Sequence, residues 1–364
     1  LAAFAALILV LAREAEAKVY IDLSAPAVKK LLIAIQGFKD AETPLNHDET
    51  KRLRAIKEEL VATLKSDLKF SNLFVIVDNK AFLEDPLTGG VAEKEIDFKK
   101  WRTIGTDTLV TGAARLDGER LIIEARFFDC INEKEVFGKR YIGSAGNPRR
   151  LMHFFADHLY EELTGRKGVF TTKILFVSDK TRTKEVYISD YDGKNTRQLT
   201  LNKSINLSPQ WSPDGNRMLY TSYKKENPNL YMLDLNTGKD TAVSNRQGIN
   251  ISGRFSPDGE RVALTLSAEK SPELYILNLK TGEYTQLTNN HGIDVSPSWS
   301  PDGAKIAFVS DISGNPQIFV LDIDIKANAV KRLTYGGKYN SSPAWSPDGK
   351  HIAYSRSNDG GTFQ

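Results

Sequence analysis

The sequence predicts an all-β propeller built from Trp-Ser-Pro-Asp-Gly repeat blades, preceded by a small α+β domain. Three observations carry this expectation. The phrase INLSPQWSPDG at 205–215 returns as INISGRFSPDG at 249–259, IDVSPSWSPDG at 293–303 and YNSSPAWSPDG at 339–349, at spacings of 44, 44 and 46 residues. Each copy is followed by two short apolar runs and a weaker third. Residues 18–166 carry no such repeat, but they hold a long amphipathic segment and a hairpin signal.

The chain opens with LAAFAALILVLAREAEA, an apolar run ending in the small-x-small triplet Ala15-Glu16-Ala17. This reads as a signal peptide over residues 1–17, with Lys18 as the first mature residue. About a dozen apolar residues are too few for a comfortable membrane span. An uncleaved anchor is the alternative, because Arg13 and Glu14 crowd the cleavage site. Neither an initiating Met nor a basic leading region is present, so the start is expected to be clipped.

Residues 18–166 are expected to form the α+β domain. KLLIAIQGF at 30–38 and LFVIVD at 73–78 read as strands. Between them Leu53, Ile56, Leu60, Leu64 and Leu68 recur at helical spacing, which predicts an amphipathic helix laid on a sheet. DTLVTGAARLDGERLIIEARFF at 107–128 is two strands joined at Asp117-Gly118, with Leu121, Ile123, Ala125 and Phe127 on one face. A last helix should start at Asn147-Pro148 and stop at Gly165, burying Leu151, Phe154, Phe155 and Leu159.

The propeller is expected over 167–364. A period of forty-odd residues marks a unit that cannot bury its apolar face alone. In each copy the aromatic strand precedes a Pro-Asp-Gly turn, where Pro presets φ and Gly accepts positive φ. The runs RMLYTS and NLYMLDL, with their counterparts RVALTL and ELYILNL, KIAFVS and QIFVLDI, then supply the second and third strands. Turns such as NTGK at 236–239 and KTGE at 280–283 lead to a fourth. From Thr172 the first blade supplies three strands without an inner one. The C-terminus of a closed ring usually returns to provide it, so the chain is expected to be incomplete at that end.

Composition narrows the function classes. Net charge is +3 from 49 basic and 46 acidic residues, with no basic stripe of the kind nucleic-acid binding needs. The single cysteine, Cys130, excludes an intramolecular disulfide and a cysteine-based zinc site, and it reads as core filling. Asp190 to Asn195 imitates the start of a calcium loop but lacks the bidentate Glu beyond Gly193, and neighbouring blades hold plain turns there. His153 and His158 are five apart on a helix, off a common metal-binding face, and read as surface and helix-packing residues. GSAG at 143–146 is not a nucleophile elbow. No metal, cofactor or catalytic constellation is expected.

Taken together, the leader, the small α+β domain, WRTIGTDTLVTG at 101–112, the junction TGRKGVFTTKILFVS at 164–178 and the Trp-Ser-Pro-Asp-Gly repeats resemble the TolB family. These are periplasmic propeller proteins of the Tol-Pal envelope system of Gram-negative bacteria. The likeness covers the chain from Lys18; Phe255 in place of Trp is a departure that keeps an aromatic. The resemblance implies six blades and a non-catalytic scaffold. It also implies Pal bound through one face of the propeller, TolA bound through Lys18, Val19, Tyr20, Ile21, Asp22 and Leu23, and a role in outer-membrane integrity and constriction at division. Such a protein is peripheral to the outer membrane through Pal, and colicins exploit the same system.

Within each repeat, Trp211, Phe255, Trp299 and Trp345 should sit between blades. The Asn/Asp-x-Ser half is expected in the loop leading to the inner strand, opposite the Pro-Asp-Gly turns. Asn206, Ser208, Asn250, Ser252, Asp294, Ser296, Asn340 and Ser342 would then ring the channel mouth. Leu207, Ile251, Val295 and Ser341 vary between them, and His291 adds polarity to that rim. The alternative is that Asx and Ser only satisfy local backbone groups. Two other functional readings stay open: a propeller fragment of a prolyl-oligopeptidase-like peptidase, which needs a downstream hydrolase domain, and a lyase-like propeller, which needs His, Glu or Arg repeated toward the channel. Sequencing the exported protein should return Lys18 as its first residue; recovery of Leu1 on mature protein would contradict the cleaved leader.

Overall fold

The computed structural model describes residues 29–40, 46–85, 90–267, 271–323 and 330–357. The predicted leader and the Lys18–Leu23 segment lie outside the described residues. The chain divides into two compact units between Thr172 and Lys173.

The first unit runs β1 (Leu31–Asp40), α1 (His47–Ser71), β2 (Phe74–Ile76), α2 (Phe98–Thr103), β3 (Thr108–Asp117), β4 (Arg120–Asp129), β5 (Lys134–Ser144) and α3 (Pro148–Thr164). Its strands lie in the order β2-β1-β3-β4-β5, with β1 parallel to both neighbours and the remaining pairs antiparallel. Helix α1 starts where Asn46 and Glu49 cap each other: Asn46 Oδ1 accepts from the Glu49 N–H at 2.9 Å, and Glu49 Oε2 accepts from the Asn46 N–H at 3.1 Å. The five leucine and isoleucine positions read from the spacing are its buried face. Gly118, at φ +60°, turns the predicted hairpin.

Trp101 anchors the segment at 101–112. It is buried on α2 and meets Phe82 edge-on, ring centroids 4.9 Å apart, in a cluster with Ala34, Phe98, Leu109, Phe128 and Cys130. Burial pushes the Cys130 thiol up to about 12, so it fills core.

Two expectations for α3 change. Phe154 is 36% exposed, because the buried stripe runs through Leu151, Met152, Phe155, Ala156, Leu159 and Leu163, and Phe154 turns out under the Arg150 guanidinium. His153 is buried rather than at the surface: its Nδ1 lies 2.8 Å from Asp67 Oδ2 on α1. After α3, the Asp157 carboxylate accepts from the Phe170 and Thr171 N–H groups, and Phe170 is buried. Those bonds hold 170 and 171 to the first unit, so the division falls beyond the expected 166.

The second unit is a succession of antiparallel blades. The first sheet has three strands (Lys173–Ser178, Glu185–Asp190, Arg197–Gln198) among the described residues. Three sheets of four strands follow, with inner strands Asn206–Trp211, Ile249–Phe255 and Asp294–Trp299, and then the pair Tyr339–Trp345 and Ile352–Ser357. In each Ser-Pro-Asp-Gly turn the Ser hydroxyl donates to the Asp carboxylate and accepts the N–H five residues on, at 2.9 to 3.0 Å. That hydroxyl bond is the largest cause holding Asp214, Asp258, Asp302 and Asp348 below the usual carboxylate range.

Successive turns also touch. A Cβ on Gly259 would lie 3.6 Å from Pro213, on Gly303 3.6 Å from Pro257, and on Gly349 3.7 Å from Pro301. After the first two turns the arginine reaches the next blade's aromatic: Arg217 lies 5.6 Å from the Phe255 ring centroid and Arg261 5.1 Å from that of Trp299.

Trp299 packs among Ala263, Leu274, Ile276 and Leu287 of the preceding blade and Ile306, Phe308, Phe319 and Leu321 of its own. Its indole N–H donates to the Arg254 carbonyl at 3.0 Å. Trp299→Ala should therefore cost about 3–5 kcal/mol in a denaturant melt. A loss under about 1 kcal/mol would mean that the indole does not join the blades.

Candidate functional site

The Asn-x-Ser half of the repeat lies within the inner strand, not in a loop before it. Asn206, Asn250, Asp294 and Asn340 are each 0% exposed, so their side chains do not ring an open mouth. The three asparagine side chains reach instead into the preceding blade. Asn206 Nδ2 donates to Glu185 Oε2 at 2.8 Å and to the Lys184 carbonyl at 3.0 Å, while Thr200 Oγ1 donates to the same Glu185 oxygen at 2.6 Å.

The triad recurs. Asn340 Nδ2 and Thr334 Oγ1 both donate to Gln317 Oε1 at 2.8 Å. Asn250 Nδ2 donates to Asn229 Oδ1 at 3.4 Å, and Asn250 Oδ1 accepts from Ser244 Oγ at 2.6 Å. The backbone joins in: the N–H groups of Asn206, Asp294 and Asn340 donate to the carbonyls of Lys184, Pro272 and Pro316 at 2.8–2.9 Å. A buried Asx is thus a latch between neighbouring blades. Of the two readings of Asx open in the sequence, these side chains satisfy local backbone groups, as Asn250 does at the Arg246 carbonyl and Asn340 at the Gly336 carbonyl, and the same amides also reach the neighbouring blade.

The third latch differs in chemistry. Thr288 donates to Glu273 Oε2 at 2.6 Å as Thr200 does to Glu185. Asp294 Oδ2 accepts from Asn290 Nδ2 at 2.8 Å, as Asn206 Oδ1 accepts from Asn202 at 2.9 Å. That leaves Asp294 Oδ1 in the role of the amide donor, and it has no partner among the described residues. Burial, and then the Asp294 charge, raise the Glu273 carboxyl above its ordinary value.

The serines behave differently from the Asx residues. Ser208, Ser252, Ser296 and Ser342 stand at φ +52°, +58°, +56° and +53°, left-handed in every copy. The strand register breaks at each of them, so each is part of a β-bulge. Together with Trp211, Phe255, Trp299 and Trp345 they line one central cavity of about 590 Å³. Leu207, Ile251, Val295 and Ser341 are half-buried and His291 is exposed.

The exposed apolar position is the one before each Asx. Ile205 and Ile293 are each 46% exposed and Tyr339 is 44%, with Ile249 half-buried; Leu201 and Tyr335 nearby reach 80% and 76%. Sequence reasoning placed the variable rim between Asx and Ser and missed these residues, although Ile205, Ile249, Ile293 and Tyr339 repeat at the same spacing and could have been found by it.

The third latch makes a prediction about pH. An acid whose folded-state affinity for protons is raised stabilises the fold at low pH and loses that contribution as pH rises through the raised value. Asp294→Asn restores the amide that the other latches use, so it should raise stability at pH 8 by about 1 kcal/mol or more and flatten the fall in melting temperature between pH 5 and about 8. An unchanged pH profile would show that the carboxylate pair does not weaken this joint.

Comparison with known proteins agrees with this architecture. A family model for the TolB beta propeller domain matches residues 160–364, and one for the TolB amino-terminal domain matches 19–136. The Tol-Pal system protein TolB of Syntrophotalea carbinolica is 40% identical over 166 residues, 46% of this chain and 39% of that protein. Its counterpart in Desulfosudis oleivorans is 38% identical over 196 residues, 54% of this chain and 43% of that protein. The matches thus span less than half the length of these curated relatives. The crystal structure of TolB from Acinetobacter baumannii superposes with a TM-score of 0.77 at 27% identity, covering 96% of this chain and 80% of that one. With the propeller family matched over more than half of its residues and the amino-terminal family ahead of it, the chain belongs to the TolB family.

Proposed function

We propose that the chain is a non-catalytic, periplasmic scaffold of the Tol-Pal envelope system, holding Pal at the propeller mouth and TolA at Lys18–Leu23, in support of outer-membrane integrity and constriction at division. The observation that carries this reading is the set of exposed apolar residues Ile205, Ile293 and Tyr339, each next in sequence to a buried latch. Loops on a rigid scaffold are the expected place for recognition, and apolar anchors that keep their shape before binding lose little entropy on docking. His291 and the half-buried Leu207, Ile251, Val295 and Ser341 stand beside them and give the mixed rim of a protein interface.

The cavity chemistry points the same way. The described lining residues offer hydroxyls, aromatic rings, the Gln210 amide and one guanidinium, and among them there is no carboxylate or imidazole that could work as acid or base. None of the helices among the described residues is long and apolar enough to cross a membrane. The curated relatives are named as components of the Tol-Pal system.

Replacing Ile293 and Tyr339 with Asp in the full-length protein should weaken Pal binding by at least about 2 kcal/mol, with the melting temperature nearly unchanged. Deleting Lys18–Leu23 should abolish TolA binding and leave Pal binding intact. Calorimetric titration checks both: undiminished Pal affinity in the folded double variant, or retained TolA affinity in the deletion, would move the sites elsewhere.

A further inference from the structure

We propose that the propeller channel holds a binding site for a carboxylate group, with the Arg254 guanidinium as its cation and the hydroxyls of Ser208, Ser252 and Ser296 as further donors. Among the described residues, Arg254 is the one charged side chain lining the central cavity. Its guanidinium makes a single long bond, 3.4 Å to the carbonyl of Gly253, and it meets neither a carboxylate nor an aromatic face among the described residues. Burial pushes its pKa down to about 10, which still leaves the group charged at neutral pH. A partly desolvated cation without a counter-charge is costly.

The blade does not need an arginine there. The same repeat position is Gln210, Ser298 and Ala344 in the other copies, all lining the same cavity and none charged. The backbone at 254 is set by the Trp299 indole, which donates to its carbonyl. A charge that the fold does not require, held in a cavity by a fixed backbone, is a recognition element.

The surroundings select the ligand. None of the Ser208, Ser252 and Ser296 hydroxyls bonds to another described group, so all three are available to donate. A guanidinium presents two parallel N–H groups that match both oxygens of a carboxylate. One cation with neutral donors balances one negative charge. A phosphate dianion would bring a second charge with no second cation among the described lining residues to meet it.

The site is tested with propionate, a monocarboxylate, at constant ionic strength, using sodium chloride as the control, on full-length protein and on Arg254→Gln, which copies Gln210 of the preceding blade. Propionate should raise the wild-type melting temperature and bind in a calorimetric titration. Arg254→Gln should bind it at least tenfold more weakly, with Arg254→Lys between the two. An equal effect in wild type and Arg254→Gln, or none in wild type, overturns the proposal.

A second arm, which rests on the Pal reading, identifies the source of the carboxylate once the site is established. Saturating propionate that weakens Pal binding at least tenfold in wild type but not in Arg254→Gln assigns it to a docked protein side chain or terminus. Undisturbed Pal binding assigns it to a small acid. The first arm uses no partner, so failure of the site and failure of the partner reading are told apart.

Discussion

The buried Asx of each inner strand is the interaction on which the propeller depends. A blade of four short strands has two faces and cannot cover either by itself. Its neighbour has to be fixed in distance and in register before the apolar faces meet. At one end of the inner strand the Asx side chain and N–H reach the preceding blade's third strand, as Asn206 does to Lys184 and Glu185. At the other end the Gly of each Pro-Asp-Gly turn sits against the Pro of the previous turn. The aromatic lies between those two fixed points, so Trp299 enters a slot whose width is already set.

This arrangement separates structure from recognition along a few residues. Within IDVSPSW, Asp294 is committed to the neighbouring blade, Ser296 bends the strand at a bulge, and Trp299 fills the interface. Ile293 and Ser298 carry none of those duties; the first is exposed to solvent and the second faces the channel. Because the constrained and unconstrained positions alternate, the same blade can change its outer rim or its channel lining without disturbing its packing. The replacement of Gln210 by Arg254 at the same channel position shows that freedom in use.

Much of this was legible in the sequence, and the failures share a cause. The repeat spacing, the turn chemistry and the aromatic were readable because each is local. So were the face of α1 and the hairpin at Gly118. The burial of Asn206 was not, because its partners Lys184 and Glu185 belong to the previous repeat and no periodicity within a blade reveals them. His153 was taken for a packing or surface residue for the same reason: Asp67 lies on another helix, far away in sequence. Phe154 was assigned to the core by type, although helical geometry places it one step off the buried stripe. Strand β5 went unrecognised because its alternating charges mask a face that includes Phe137 and Tyr141 against Phe155. The location of Lys18–Leu23 and the use of any surface by a partner belong to neither kind of reading.

The latches are not equal, and their differences rank the joints between blades. Glu185 with Asn206, and Gln317 with Asn340, place a donor against an acceptor at 2.8 Å. Asn229 with Asn250 has the same polarity at 3.4 Å, a weaker bond. Glu273 with Asp294 places acceptor against acceptor, so among the described residues this latch lacks the side-chain donor bond across the joint that the other three make. The backbone bond from Asp294 to Pro272 and the Trp299 cluster therefore carry more of the third joint than of the others. Opening between these two blades would carry Ile293 and Trp299 off together, since Ile293 leads directly into the inner strand that holds the indole, and it would break the indole's bond to the Arg254 carbonyl. The rim position Ile293 and the channel position Arg254 are thus tied to one joint, and it is the joint whose buried Asx makes no side-chain bond to the preceding blade's third strand among the described residues.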